Sequence, residues 1–175
     1  MTASFETFRS VFGDYLSRLG KVDARALYEV LRVRAVDEGE QVIAEGERAA
    51  SLIFVTQGEL QVRVGGPHGP RVVATVGPGA AVGEVSLLDP GPATATVEAM
   101  TPCEVLAVDA DDIAALWAAK PAVAAALTRG LSRLLAERIR GTHATLDAVV
   151  QESSELDEAW FSQVVSTLWG VETVA

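Results

Sequence analysis

Apolar residues change their spacing twice along this chain. Between residues 4 and 19, Phe5, Phe8, Phe12, Tyr15, Leu16 and Leu19 recur at mixed three- and four-residue intervals, the stripe of an amphipathic helix. Residues 23–31 read as a second, shorter helix, with Asp23 placed to cap its N-terminus. From about Val33 to Val108 the pattern becomes short Val-, Ile- and Leu-rich runs separated by Gly, Pro and charged turns, which predicts a β-barrel or β-sandwich. Gly65-Gly66-Pro67-His68-Gly69-Pro70 is the most punctuated segment and reads as a hairpin tip; no helix with Lys-Ser/Thr follows it, as a phosphate loop requires. Helical spacing returns with a short helix over residues 111–119, and Pro121 opens a longer one that reaches at least Ile139. Leu127, Leu131, Leu135 and Ile139 recur every four residues there, Leu134 widens the stripe, and Arg129, Arg133, Arg138 and Arg140 lie mostly off it. Gly141 weakens that helix by about 1 kcal/mol relative to Ala, so an end or a bend is expected near it.

The last segment has its own pattern. Ser154, with Asp157 three residues on, resembles a capping-box start, and Trp160, Phe161, Val164, Val165, Leu168 and Trp169 then form a wide apolar stripe that Gly170 stops. Two readings stay open for this helix. It covers its own domain or a dimer mate, or it docks into another protein's groove through its aromatic residues. The chain thus divides into residues 1–146 and an acidic linker with an amphipathic helix over residues 147–175.

Composition narrows the class. A chain of 175 residues with 49% hydrophobic residues is long and apolar enough for one domain with its own core. One cysteine, Cys103, makes no internal disulfide; it is expected buried in its strand as a small hydrophobe. No charged-then-apolar leader opens the sequence, and the apolar stretch over residues 113–127 is broken by Lys120-Pro121, so a cytoplasmic protein without a membrane span is expected. Fourteen basic against 24 acidic residues give a net charge of −10, which opposes nucleic-acid binding. Catalytic constellations are missing: there is no Gly-x-Ser-x-Gly and no His-Glu-x-x-His, and two histidines, His68 and His143, are few for a zinc site. No enzyme, no metal and no cofactor are expected.

The chemistry concentrates in residues 76–97, Val-Gly-Pro-Gly-Ala-Ala-Val-Gly-Glu-Val-Ser-Leu-Leu-Asp-Pro-Gly-Pro-Ala-Thr-Ala-Thr-Val. Gly83 lets the chain turn sharply and approach a ligand closely. Residues 84–88 suit one helical turn, whose first N–H groups favour an anion. The stretch resembles the phosphate-binding cassette of the cyclic nucleotide-binding domain family, in which Pro-Gly, three residues and Gly-Glu precede a short apolar turn and Pro-Arg-x-Ala-Thr-Val. Further matches are Glu38-Gly39-Glu40 and Glu45-Gly46-Glu47, which look like that family's paired turns, and the segments over residues 53–60 and 103–108, which look like its strand–Gly–strand hairpin and last barrel strand. The resemblance covers roughly residues 5–146. It implies a mainly β, α+β fold: a jelly roll or barrel flanked by N-terminal helices and a long C-terminal helix.

By the same resemblance, Gly83, Glu84, Val85, Ser86, Ala93, Thr94 and Thr142 are the candidate ligand-binding positions. Glu84 would accept from a ribose hydroxyl, Ser86 would add a donor to the phosphate, and Thr142 with His143 falls where relatives contact the purine; as bare residues near a helix end, Thr142 and His143 read simply as solvated. Ala93 departs from the pattern. It stands where the family has arginine, and it lacks the charge-assisted contact that arginine gives a phosphate. Family members that read DNA follow this domain with a helix-turn-helix, whereas the 29 residues after Leu146 contain no lysine or arginine. The long helix implies a homodimer through Leu127, Leu131, Leu135 and Ile139, and Trp160, Phe161, Val164, Leu168 and Trp169 are the candidate partner-docking residues. The leading expectation is a stand-alone, non-enzymatic regulatory module with an eroded phosphate site, acting through protein contacts. Two alternatives stand beside it: a genuine cyclic nucleotide sensor with another basic group, and a sensor of a different small anion.

Overall fold

Alternating side chains along the β region place one set between two sheets, and the sheets have different outer faces. The protein is described by a computed structural model covering residues 4–13, 20–48, 51–66 and 69–152, with side chains as far as residue 143. The elements are α1 (Phe5–Val11), α2 (Lys21–Val30), β1 (Arg32–Val36), β2 (Gln41–Ile43), β3 (Ser51–Gln57), β4 (Leu60–Val64), β5 (Arg71–Val76), β6 (Ala81–Val82), α3 (Glu84–Leu88), β7 (Thr96–Ala99), β8 (Cys103–Asp109), α4 (Ala110–Ala119) and α5 (Pro121–Glu152). Residues 1–132 form one compact unit and residues 133–175 a second, whose described part is the continuation of α5.

Eight strands make two antiparallel four-stranded sheets, ordered β1-β8-β3-β6 and β2-β7-β4-β5. This is a sandwich: the sheets do not close into a barrel. Val36, Ile53, Val55, Val82 and Val105 from the first sheet meet Ile43, Leu60, Val97 and Ala99 from the second in one buried cluster. The first sheet is covered on its other side too. Phe54 of β3 packs edge-on against Phe8 and Phe12, with ring centroids 6.0 and 5.0 Å apart. Burial on both faces is why residues 52–55 read as a continuous apolar run rather than an alternating one. In the second sheet, edge strand β5 is exposed from Arg71 to Thr75.

Local chemistry accounts for the boundaries. Ser4 caps α1, its hydroxyl accepting from the Thr7 N–H at 3.2 Å. Gly20, not Asp23, is the N-cap of α2; Asp23 lies in the first turn, where its charge favours the helix dipole instead. Gly58 turns β3 into β4 at φ +81°, and a Cβ there would lie 2.5 Å from Cys103 Sγ. Cys103 is buried as expected, its thiol donating to the Thr101 carbonyl at 3.1 Å. Helix α5 runs through Gly141 to Glu152 without ending there.

The two Glu-Gly-Glu turns that bracket β2 are built alike. In the first, the Gly39 N–H donates to the Ala99 carbonyl at 2.8 Å and the Ala99 N–H to the Glu40 carbonyl at 3.0 Å. In the second, the Gly46 N–H donates to the Ala93 carbonyl at 2.8 Å and the Ala93 N–H to the Glu47 carbonyl at 2.7 Å. The first turn is reinforced by the Glu40 carboxylate, which accepts from the Asp37 N–H and pairs with Arg34. Those two contacts, the backbone one foremost, hold the Glu40 carboxyl below the usual carboxylate range.

Candidate functional site

The second of these turns carries the fold into the cassette. Gly83 adopts φ 87° and ψ 5°, the left-handed region that side chains resist, and serves as the N-cap of α3. A Cβ at Gly83 would sit 2.1 Å from the Ser51 carbonyl oxygen, so the backbones of β3 and the cassette meet here with no room for a side chain. Glu84 and Ser86 follow within α3 and are 3% and 8% exposed; Val85 is half-buried. Five residues after α3 ends at Leu88 the chain reaches Ala93, held through its N–H and carbonyl by residues 46 and 47. Glu47 and Ser51 thus touch opposite ends of the cassette, at Ala93 and Gly83.

Ala93 is 7% exposed and belongs to the apolar cluster between the sheets, together with Ile43, Val82 and Val97. Its backbone is fully committed to the neighbouring turn, which removes the amide at this position as a donor to a ligand. Thr94 is exposed, and Thr96, two residues on, accepts from the Glu45 N–H at 3.2 Å. Between Gly83 and Val97 the chain carries two carboxylates, Glu84 and Asp89, and no basic residue. An anion brought to this stretch meets no positive side chain from the cassette itself.

The remaining sequence-predicted positions fall elsewhere. Leu127 and Leu131 are fully buried in the first unit, while Leu135 is half-buried and Ile139 is 54% exposed in the second. Thr142, in the second unit, is exposed, and its hydroxyl donates back to the Arg138 carbonyl at 3.0 Å. Trp160, Phe161, Val164, Leu168 and Trp169 lie outside the described residues. A cavity of about 600 Å³ is formed by α1, α2 and Lys120, with Phe5, Val22 and Arg25 in its lining and no cassette residue among them. Among the described residues no cluster of His, Cys, Asp and Glu could hold a metal ion, and no helix is long and apolar enough to cross a membrane. What residue-by-residue reading missed is the partner of Ala93: both Glu-Gly-Glu turns were visible, and their repetition was the available signal that they do the same job on Ala99 and Ala93.

Residues 33–120 match the family model of the cyclic nucleotide-binding domain, half of the chain, and the chain belongs to that family. It is 30% identical over 122 residues to the CRP-like cAMP-activated global transcriptional regulator of Mycobacterium tuberculosis, an alignment covering 69% of this chain and 53% of that one. The N-terminal domain of a transcriptional regulator from Streptomyces coelicolor is 30% identical with a TM-score of 0.65, covering 73% of this chain and 94% of that domain. A cyclic nucleotide-binding domain from Methylobacillus flagellatus shares the fold at a TM-score of 0.75 and 23% identity, over 89% of each chain. The chain spans between 26% and 55% of the length of the first curated relatives it matches.

Proposed function

We propose that this domain is a non-enzymatic regulatory module whose phosphate site is degenerate, and whose output is contact with other protein surfaces. One observation carries the reading: position 93 belongs to the protein's own structure. Its side chain ends as a methyl group in the inter-sheet cluster, and its N–H and carbonyl are both bonded to the 45–47 turn. The ribose side of the cassette is kept, with Gly83 in its left-handed turn and Glu84 and Ser86 buried beside it. The frame for a cyclic nucleotide thus stands without the group that balances the phosphate.

Loss of one partner from a buried, hydrogen-bonded charge pair costs about 2–5 kcal/mol. At about 1.4 kcal/mol per decade, this corresponds to binding roughly 30-fold to a few thousand-fold weaker than in an arginine-bearing relative. The test is calorimetric titration of cAMP into the wild type and into Ala93→Arg. The variant is expected to bind at least about tenfold more tightly, because arginine restores a charge-assisted contact at the phosphate. No detectable binding by a folded Ala93→Arg would show that the frame no longer receives a cyclic nucleotide, and equal measurable binding by both proteins would show that position 93 is not where charge is missing.

A further inference from the structure

The turn that holds Ala93 also carries a cation. Arg48 directly follows Glu47, whose carbonyl accepts the Ala93 N–H at 2.7 Å, and the Gly46 N–H donates to the Ala93 carbonyl at 2.8 Å, so two residues of the turn hold position 93. Arg48 is therefore the next residue along the chain from one bonded directly to position 93, where the family has its arginine. Four residues after Glu47, Ser51 lies against Gly83 at the other end of the cassette. In sequence, Arg48 thus lies between Glu47, bonded to position 93, and Ser51, packed on Gly83.

Its side chain is exposed, and it makes no hydrogen bond or ion pair among the described residues. Of the four arginines on the strands, Arg71 is exposed on edge strand β5 and the other three are committed. Arg32 is bonded to Asp109 and Asp112, Arg34 to Glu40 and Arg63 to Glu98. Arginine is also the suitable residue for the task, since its planar fork matches a phosphate or carboxylate bidentately and stays charged at any working pH.

We propose that Arg48 is the anion-binding residue of this site, taking over from the adjacent turn the charge that position 93 lacks. The ligand class is a small molecule bearing one anionic group beside a hydroxyl, the chemistry a cyclic nucleotide presents. This rests on the cassette being the ligand site, as proposed above, and it accounts for residual affinity where Ala93 alone predicts loss. Being exposed, Arg48 delivers less than a buried arginine in the cassette does, so the site stays weak.

The experiment is an NMR titration of the wild type, Arg48→Gln, Arg48→Lys and Ala93→Arg with cAMP and, in parallel, with uncharged adenosine. Expected are cAMP-dependent shifts at the Gly83–Ser86 amides in the wild type and binding weaker by about tenfold or more in Arg48→Gln, the loss of one charge-assisted hydrogen bond. Arg48→Lys is expected to keep part of the affinity, and adenosine binding is expected to be unchanged across the Arg48 variants. Unchanged cAMP affinity in Arg48→Gln overturns the assignment. So does a wild type that ignores millimolar cAMP while Ala93→Arg binds it, an outcome that leaves the degenerate-site reading intact. Submicromolar wild-type binding that depends on Arg48 does the reverse: it confirms this residue and removes the degenerate-site reading.

Discussion

Gly83 shows how narrowly a single position is constrained at the cassette. Its φ of 87° lies where a Cβ is disfavoured by roughly 1–2 kcal/mol, and the Cβ would additionally lie 2.1 Å from the Ser51 carbonyl oxygen. Gly83→Ala is therefore expected to destabilise the domain by more than about 2 kcal/mol, since relieving the contact means parting β3 from the cassette. Urea unfolding checks this; a loss below about 0.5 kcal/mol would mean that the turn relaxes freely. The glycine was legible in the sequence because a sharp turn before an acidic residue and an apolar turn has few other solutions. The significance of Ala93 was only half legible. Its departure from the arginine pattern was plain, but its bonds to Gly46 and Glu47 join residues that are 47 and 46 positions earlier in the chain, and no local pattern encodes them.

At the scale of the element, α5 divides into parts with different environments. The four-residue spacing of Leu127, Leu131, Leu135 and Ile139 announced an apolar stripe, and periodicity alone did not say what covers each part of it. Leu127 and Leu131 are fully buried in a single copy, so their substitution acts on folding. Leu131→Ala is expected to cost about 2–5 kcal/mol in chemical denaturation. Ile139, 54% exposed, is the position at which self-association can be tested without unfolding the first unit. Ile139→Glu should leave stability within about 0.5 kcal/mol and shift sedimentation toward a smaller species if α5 pairs with a second copy, as we propose. A wild type that sediments as a monomer at tens of micromolar would contradict that pairing. Strand edges show a similar split. The β region was evident from its short apolar runs, yet barrel and sandwich produce the same alternation, and only the pairing of β1 with β8 and β5 with β4 decides between them. The misplaced cap of α2 has a simple cause: Asp23 has the chemistry of a cap, but Gly20 starts the helix a turn earlier.

For the whole molecule, a net charge of −10 and a cassette without a basic residue point the same way, toward weak attraction for a phosphate. Residues 147–175 hold six acidic residues and no basic ones, and their aromatic stripe is the segment we propose for docking. A chain ending at Val150 should keep the sandwich folded, seen as an unchanged β-rich circular dichroism spectrum, and should change oligomeric state or partner binding. Unfolding of the shortened chain would instead place the tail in the domain's core. The central claim, that this cyclic nucleotide-binding domain has lost the charge that makes its ligand bind tightly, is tested most directly by the dissociation constant of the wild-type protein for cAMP. Isothermal titration is expected to give a value weaker than about 10 μM, and a submicromolar value would contradict it.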